Sequence, residues 1–481
     1  MAEERYNMVV IGAGSAGLVT ALIAAAVKAK VALIERDKMG GDCLNTGCVP
    51  SKALIKSSKV LAQLKKAEHY GLKGLKVDSA GLDFAAVMGR VQRVIADIAP
   101  HDSIERYQSL GVDCITGEAQ IIDKHTVRVG DRTLKTKTIV IATGAGPIVP
   151  KIKGLDQVRS LTSENLWQLQ ERPKRLVVLG GGPIGCEMAQ AFQNLGSQVT
   201  QVELGKRLMP REDDDAAAVV QQHLAASGVV VQCGATAVEV RLNGGQKELI
   251  CQKDGRELVV GFDEILLAVG RRARTQGLDL EQLGLSLNNN GTLKVDEYLR
   301  ANGDNIYACG DVCGPYQLTH AASHQAWYCA VNGLFSPFKK FKVDYRVLPW
   351  VTFTDPEVAT VGLNETAAKE RGVAYEVTKY GTDDLDRAIA EGEAYGFVKV
   401  LTVPGKDRIL GVTIVSAHAG EMIAEYVTAM KFGLGLNKIL GTIHAYPTFV
   451  EANKAVAGVW KRKHAPAGLL RWVERFHGWR R

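Results

Sequence analysis

Cys43 and Cys48 are separated by four residues in the run Gly40-Gly41-Asp42-Cys43-Leu44-Asn45-Thr46-Gly47-Cys48-Val49-Pro50-Ser51-Lys52. Two cysteines at that spacing, at the start of a helix, can bring their sulfurs within bonding distance. A cysteine in the first helical turn feels the positive end of the helix dipole, which favours its thiolate. That chemistry is a redox-active disulfide. The bland alternatives are two structural cysteines or half a zinc site. Zinc sites want tighter spacing and more ligands nearby. No such cluster is evident, so no resident metal ion is expected.

Glycines supply the second chemistry. Gly12, Gly14 and Gly17 follow the apolar run Asn7–Ile11. They provide a tight turn, close backbone approach and helix–strand packing, which a dinucleotide pyrophosphate requires. Glu35, at the end of the next apolar run, is placed to take ribose hydroxyls. The same grammar returns with Gly180, Gly182 and Gly185, ending at Glu203. One such turn is a weak signal, because glycine turns also serve packing. Two, each reading strand, turn, helix, strand and acid, imply tandem nucleotide-binding units. A carboxylate at Glu203 repels a 2′-phosphate, so NADH is favoured over NADPH. Lys206 and Arg207, just beyond, would soften that preference.

These residues need elements to hold them. Residues 7–36 and 175–203 read as strand–helix–strand units. Residues 83–110 carry a helical pattern. Residues 112–142 and 229–270 alternate like small antiparallel sheets. Asn305–Ala308 is a short strand leading to Asp311, and loops at strand ends commonly meet ligands. After Pro349 the glycine turns stop, which marks a separate C-terminal domain.

The chain has 481 residues, too many for one core. Hydrophobic content of 46% and charged content of 23% fit a globular enzyme. The start Met1-Ala2-Glu3 has no signal-peptide layout, so a cytoplasmic setting is expected. Nine scattered cysteines with one close pair do not resemble a secreted disulfide scaffold. The net charge of +7 is uneven. Residues 461–481 carry seven Lys/Arg against Glu474, and the other 460 residues carry about +1. Nucleic acid is therefore not an expected partner.

Taken together, these motifs resemble the class I pyridine nucleotide–disulfide oxidoreductases, over nearly the whole chain to about residue 460. The marks are both glycine turns, the Cys43–Cys48 segment, Ala142-Thr143-Gly144, Ala268-Val269-Gly270-Arg271, Ala308-Cys309-Gly310-Asp311 and Thr354-Asp355-Pro356-Glu357. The resemblance implies an α/β chain with two Rossmann-like domains and an α+β dimerisation domain. The implied bounds are 1–150 for FAD, 151–275 for NAD(P), 276–347 for a central domain, 348–464 for dimerisation and 465–481 for a tail. It implies FAD and NADH as cofactors and a homodimer. Asp311 would hold the flavin ribityl chain. Lys52, paired with Glu187, would lie near the flavin. Cys48 would face the flavin, and Cys43 would exchange with substrate. Gly41, Ala119, Thr143, Gly144, Gly270 and Gly310 are likewise assigned to the cofactor sites. Cys186, Cys309 and Cys313 read as small buried residues.

The sequence departs from the family in two places. Disulfide reductases of this group carry a His before Pro-Thr and a Glu five positions later, a pair supplied by the partner subunit. Here the run is His444-Ala445-Tyr446-Pro447-Thr448-Phe449-Val450-Glu451. Glu451 is in place, Tyr446 stands at the His position, and His444 is two residues earlier. A phenol, with a pKa of about 10, is a poor base at neutral pH. A dihydrolipoyl-dehydrogenase-like enzyme acting on a small disulfide or dithiol is the first reading. The second is a mercuric-reductase-like enzyme for soft metal ions, which suit thiolate ligands. Mercuric reductases share the Tyr but end in a cysteine pair, whereas no cysteine follows Cys329 here. The other departure is the tail. Leu469, Trp472, Val473 and Phe476 fall at helical spacing beside Arg471 and Arg475. Such a segment either packs on the dimerisation domain or meets an anionic membrane or a protein partner. The last option admits a third reading, a redox-sensing flavoprotein recruited by its tail.

Overall fold

A computed structural model describes residues 4–74, 81–336 and 338–481. The chain divides into two compact units, Met1–Leu204 with Gly234–Asp344, and Gly205–Cys233 with Tyr345–Arg481. The boundaries expected at 150 and 275 both fall inside the first unit.

The first unit is built on two parallel sheets. Glu4–Ile11 pairs with Val31–Glu35 on one side and Arg132–Ile141 on the other. Ile306–Ala308 and Val112–Thr116 extend the sheet in parallel. Its strands are near-continuous apolar runs because both faces are covered. Val9, Val10, Ile139 and Val140 are fully buried. Val112–Thr116 alternates as an antiparallel strand would, yet it joins the parallel sheet. Only Ala119–Asp123, Thr126–Val129 and Arg132–Ile141 pair antiparallel. The helical pattern over 83–110 resolves into Phe84–Ile98 and Ile104–Ser109, interrupted at Pro100, where proline removes a backbone donor. The second parallel sheet sets Arg175–Leu179 between Gln198–Glu203 and Glu264–Leu267. Residues 235–262 form the expected antiparallel sheet.

The second unit is a five-stranded antiparallel sheet over Pro349–Thr352, Glu357–Gly362, Ile409–Ser416, Phe397–Thr402 and Glu376–Gly381. Helices Ala419–Lys431 and Glu451–Lys463 contribute Tyr426, Val456 and Trp460 to its core. Lys399, 1% exposed, is the unusual core residue. Its ammonium meets Asp213 at 2.7 Å, Asp215 at 2.7 Å and Glu365 at 2.9 Å. A buried charge survives only when paired. The neighbouring Glu212 is also buried and accepts from Trp350 Nε1 (2.6 Å) and Thr360 Oγ1 (2.9 Å). Burial raises its pKa. These acid contacts explain why residues 205–233 group with the C-terminal unit.

Candidate active site

The site is assembled from the first glycine turn outward. Gly12 has φ +103°, and a Cβ there would meet Ala142 O at 2.5 Å. A Cβ on Gly17 would meet Gly12 O at 1.8 Å. Only glycine lets the strand, turn and helix approach this closely. Glu35 closes the turn by accepting from Ala13 N at 2.6 Å. No side chain caps the helix Ser15–Ala26, and its first turn has no acid. Its amide donors and positive dipole end therefore remain suited to a pyrophosphate.

The redox segment lies on this turn. Gly40 and Gly41 both have positive φ, and a Cβ on Gly41 would meet Gly14 Cα at 2.6 Å. Cys43 sits in the short helix Gly41–Asn45, and Cys48 opens the helix Cys48–Lys65. The Asn45 amide donates to Met39 O (2.9 Å) and Gly41 O (2.8 Å), and Thr46 Oγ1 donates to Asp42 Oδ1 (2.6 Å). These bonds fix the loop between the cysteines. Both are free thiols, and they hydrogen-bond each other. That bond is the main reason the Cys48 pKa falls to about 6; Thr319 and the Lys52 charge add to it, against desolvation. The same bond, then burial, pushes Cys43 far above the ordinary thiol range. The direction of both shifts favours a thiolate at Cys48 over one at Cys43.

Lys52 lies one turn along from Cys48, and its Nζ meets Glu187 Oε2 at 3.0 Å. Glu187 is buried on the helix Pro183–Asn194. Asp311 follows the strand Ile306–Ala308 and Gly310, whose N–H donates to Gln325 Oε1 at 2.6 Å. Burial raises the Asp311 pKa, and Arg271 opposes the rise. Arg271 reaches Asp42 at 2.8 Å and Asp311 at 3.4 Å, joining the redox segment to the loop after Ile306–Ala308. Thr143 Oγ1 donates to Arg274 O (2.7 Å), and Gly144 O accepts from Arg274 N (2.9 Å). Gly270 O likewise accepts from Ile148 N at 3.0 Å. These bonds tie residues 143–148 to residues 270–274. Ala119 lies in the apolar core, so any part it plays in binding falls to its backbone.

The second glycine turn repeats the first. Cβ atoms on Gly180 and Gly185 would meet Ala268 O at 2.4 Å and Gly180 O at 2.2 Å. Glu203 accepts from Gly181 N. Gly182 has open space where a Cβ would stand. Arg207, expected to soften the coenzyme preference, is engaged by Met209 O (2.7 Å), Glu212 O (2.7 Å) and Asp214 Oδ1 (2.8 Å).

In the second unit, His444, Tyr446 and Glu451 do not form a base dyad. The His444 side chain is 5% exposed, with Nε2 2.9 Å from Glu425 Oε1 and Nδ1 3.2 Å from Thr442 O. Tyr446 is exposed, and its hydroxyl donates to Asp386 Oδ2 at 2.9 Å. That contact raises its pKa further. Glu451 accepts from Thr448 N at 3.0 Å.

The family model for pyridine nucleotide-disulphide oxidoreductases matches residues 6–326, and the model of that family's dimerisation domain matches residues 348–457. The chain belongs to this family. It is 33% identical to a mercuric reductase of Staphylococcus aureus over 94% of this chain and 82% of that protein. It is 33% identical to the dihydrolipoyl dehydrogenase of Chlamydia muridarum over 96% of this chain and 99% of that one. Among solved structures, the Cu(II) complex of the HOCl-induced flavoprotein disulfide reductase RclA from Escherichia coli superposes with a TM-score of 0.83 at 28% identity, covering 95% of this chain and all of the other. The protein is an FAD-dependent, NAD(P)H-linked oxidoreductase of the disulfide oxidoreductase family.

Residues of this chain fit both dinucleotides. Two uncapped helix N-termini follow glycine turns whose first and third glycines leave no room for a Cβ, and each turn is braced by an acid. Three participants escaped the sequence reading. Thr319, whose Oγ1 lies 3.3 Å from Cys48 Sγ, is 271 positions away and has no motif of its own. Asp42 and Arg271 stood inside quoted motifs, but only the fold shows them paired.

Proposed function

We propose that this enzyme passes electrons from NADH to a soft metal ion through Cys43 and Cys48. One observation carries the choice of acceptor. Cys48 Sγ has the Thr319 hydroxyl at 3.3 Å and the Lys52–Glu187 pair one turn along its helix, while the His444 side chain in the second unit is only 5% exposed and has both ring nitrogens engaged, by Glu425 and by Thr442 O. Thiol–disulfide exchange with a small disulfide needs a group that moves a proton near neutral pH. Capture of a soft cation by two sulfurs needs only thiolates. The dihydrolipoyl-type reading is the second one. It is favoured by the full-length match to a dihydrolipoyl dehydrogenase.

Bound in the first unit, FAD would supply two-electron redox chemistry between the nicotinamide and the sulfurs. Gly12, Gly14, Gly17 and Glu35 would hold its adenosine diphosphate half, and Asp311 its ribityl chain. Gly180, Gly182, Gly185 and Glu203 would hold NADH, the carboxylate of Glu203 disfavouring a 2′-phosphate. The chain's own step is on sulfur. The Cys43–Cys48 bond takes up two electrons and one proton and breaks into the Cys43 thiol and the Cys48 thiolate. Lys52, kept in place by Glu187, steadies the negative charge at Cys48. Thr319 donates to the same sulfur. The metal ion displaces the Cys43 proton, is held by both sulfurs, and leaves reduced as they re-form their bond.

The domain bounds expected from sequence are proposed unchanged, with 348–464 as a dimerisation domain in a homodimer. The partner's Tyr446 would complete each site as a hydrogen-bond donor. The test is NADH oxidation by the full chain, with Hg(II) buffered by excess thiol compared against lipoamide. Hg(II)-dependent turnover exceeding lipoamide turnover is expected. Faster lipoamide turnover would move the assignment to the second reading.

A further inference from the structure

The tail is the one motif that the redox reading leaves unused. The C-terminal core closes at His464. There Trp460 is buried and stacks on His464 at 4.2 Å, and His464 Nε2 meets Glu376 at 2.9 Å. After Pro466 a separate helix, Ala467–Trp479, runs on for 13 residues with none of them buried. Packing against its own domain, one of the two fates open to the tail, is therefore not what the fold shows.

The helix is strongly two-faced. Leu469, Trp472, Phe476 and Trp479 share one side at helical spacing. Leu469 is 55% exposed, Trp472 62% and Trp479 83%. Trp472 and Phe476 stack with centroids 5.7 Å apart, which makes a continuous aromatic strip. Arg471 and Arg475 flank the strip, and Arg480 lies over the Phe476 ring. An apolar strip of this size in water marks an interaction surface.

Charge decides what covers it. Residues 461–481 carry seven Lys/Arg against Glu474 alone, in a chain whose total is only +7. Two copies of so basic a segment would repel, so a second copy is disfavoured. An anionic surface is favoured, and tryptophans beside arginines suit the headgroup boundary, where rings enter and guanidinium groups stay wet. The helix, about 20 Å long, is too short to cross a bilayer. No helix among the described residues is long and apolar enough to do so.

We propose that residues 465–481 anchor this enzyme to the surface of a bilayer containing anionic phospholipid, with the Leu469–Trp472–Phe476 strip inserted and the arginines on the headgroups. The inference is independent of the electron acceptor, and its deciding readout is sedimentation with vesicles.

The holoenzyme is sedimented with phosphatidylcholine vesicles, with and without phosphatidylglycerol, at low salt and at roughly 0.5 M salt. Binding confined to the anionic vesicles and lost at high salt is expected. The double variant Trp472→Glu/Phe476→Glu should stay in the supernatant. Arg471→Glu/Arg475→Glu should bind weaker by on the order of a hundredfold. Both variants should keep native NADH oxidation, which shows that they fold. Equal sedimentation of Trp472→Glu/Phe476→Glu and the native chain, or no preference for anionic lipid, would overturn the proposal. So would a lower mass of that variant in light scattering, which would assign the strip to a second copy.

Discussion

The two glycine turns use the same residue types and reach different ends. Around Gly12 and Gly180 the backbone contacts are nearly superimposable, with carbonyls 2.5 and 2.4 Å from where a Cβ would stand. Each turn is braced by a carboxylate 22 positions on that accepts from a turn amide. They differ at the middle glycine. Gly14 lies under the Cys43–Cys48 segment, where a Cβ would stand 3.8 Å from Gly41 Cα, whereas a Cβ on Gly182 would meet nothing within 4 Å. A covered turn suits a cofactor that stays, and an open one suits a coenzyme that comes and goes. On the proposed assignment, identical local physics would be divided into a retained flavin site and an exchanging nicotinamide site by what packs above it.

The harshest way to break the comparison is at the third glycines. Gly17→Ala and Gly185→Ala each drive a methyl into a backbone carbonyl, at 1.8 and 2.2 Å. Each should cost more than about 4 kcal/mol, read as lowered thermal stability. A wild-type melting temperature in either would mean that the turns relax freely. The middle glycines sharpen the comparison, because alanine fits both without a clash. Gly14→Ala should purify depleted of flavin. Gly182→Ala should keep its flavin and raise the KM for NADH by roughly tenfold, about 1.4 kcal/mol. Flavin loss from both, or from neither, would erase the distinction. A smaller effect is expected at the acid: Glu203→Ala should narrow the NADH-over-NADPH ratio of kcat/KM by about tenfold, or about 1.4 kcal/mol.

A pH experiment isolates the segment that covers Gly14. The hydrogen bond from Cys43 lowers the Cys48 pKa to about 6. The thiolate is the reactive form, so iodoacetamide alkylation of the reduced enzyme should rise as pH increases through about 6 and be flat above. A rise centred near the ordinary thiol value, about 8.5, would show that neither Cys43 nor Thr319 acts on that sulfur.

Much of this was legible in the sequence, for a physical reason. A glycine turn needs glycines at fixed offsets, and a disulfide needs two cysteines at a reachable spacing, so both are local. The Lys52–Glu187 pair was reached through the resemblance alone, since 135 residues separate the partners. Thr319 and the Arg271 bridge depend on long-range packing and carry no local pattern. Val112–Thr116 was misread because alternation reports burial and not strand direction. The grouping of residues 205–233 with the C-terminal unit depends on the buried Lys399, which reads in sequence as an ordinary strand lysine. His444 stood two positions from the expected base, and only its bond to Glu425 shows that it is engaged elsewhere.

The central claim is that Cys43 and Cys48 take electrons from the flavin. Anaerobic titration of the oxidised holoenzyme with NADH, compared with Cys48→Ser, tests it most directly. The account predicts uptake of about two hydride equivalents per flavin in the native chain and about one in the variant, with acceptor turnover lost. Equal uptake by both, or full acceptor turnover in Cys48→Ser, would contradict it.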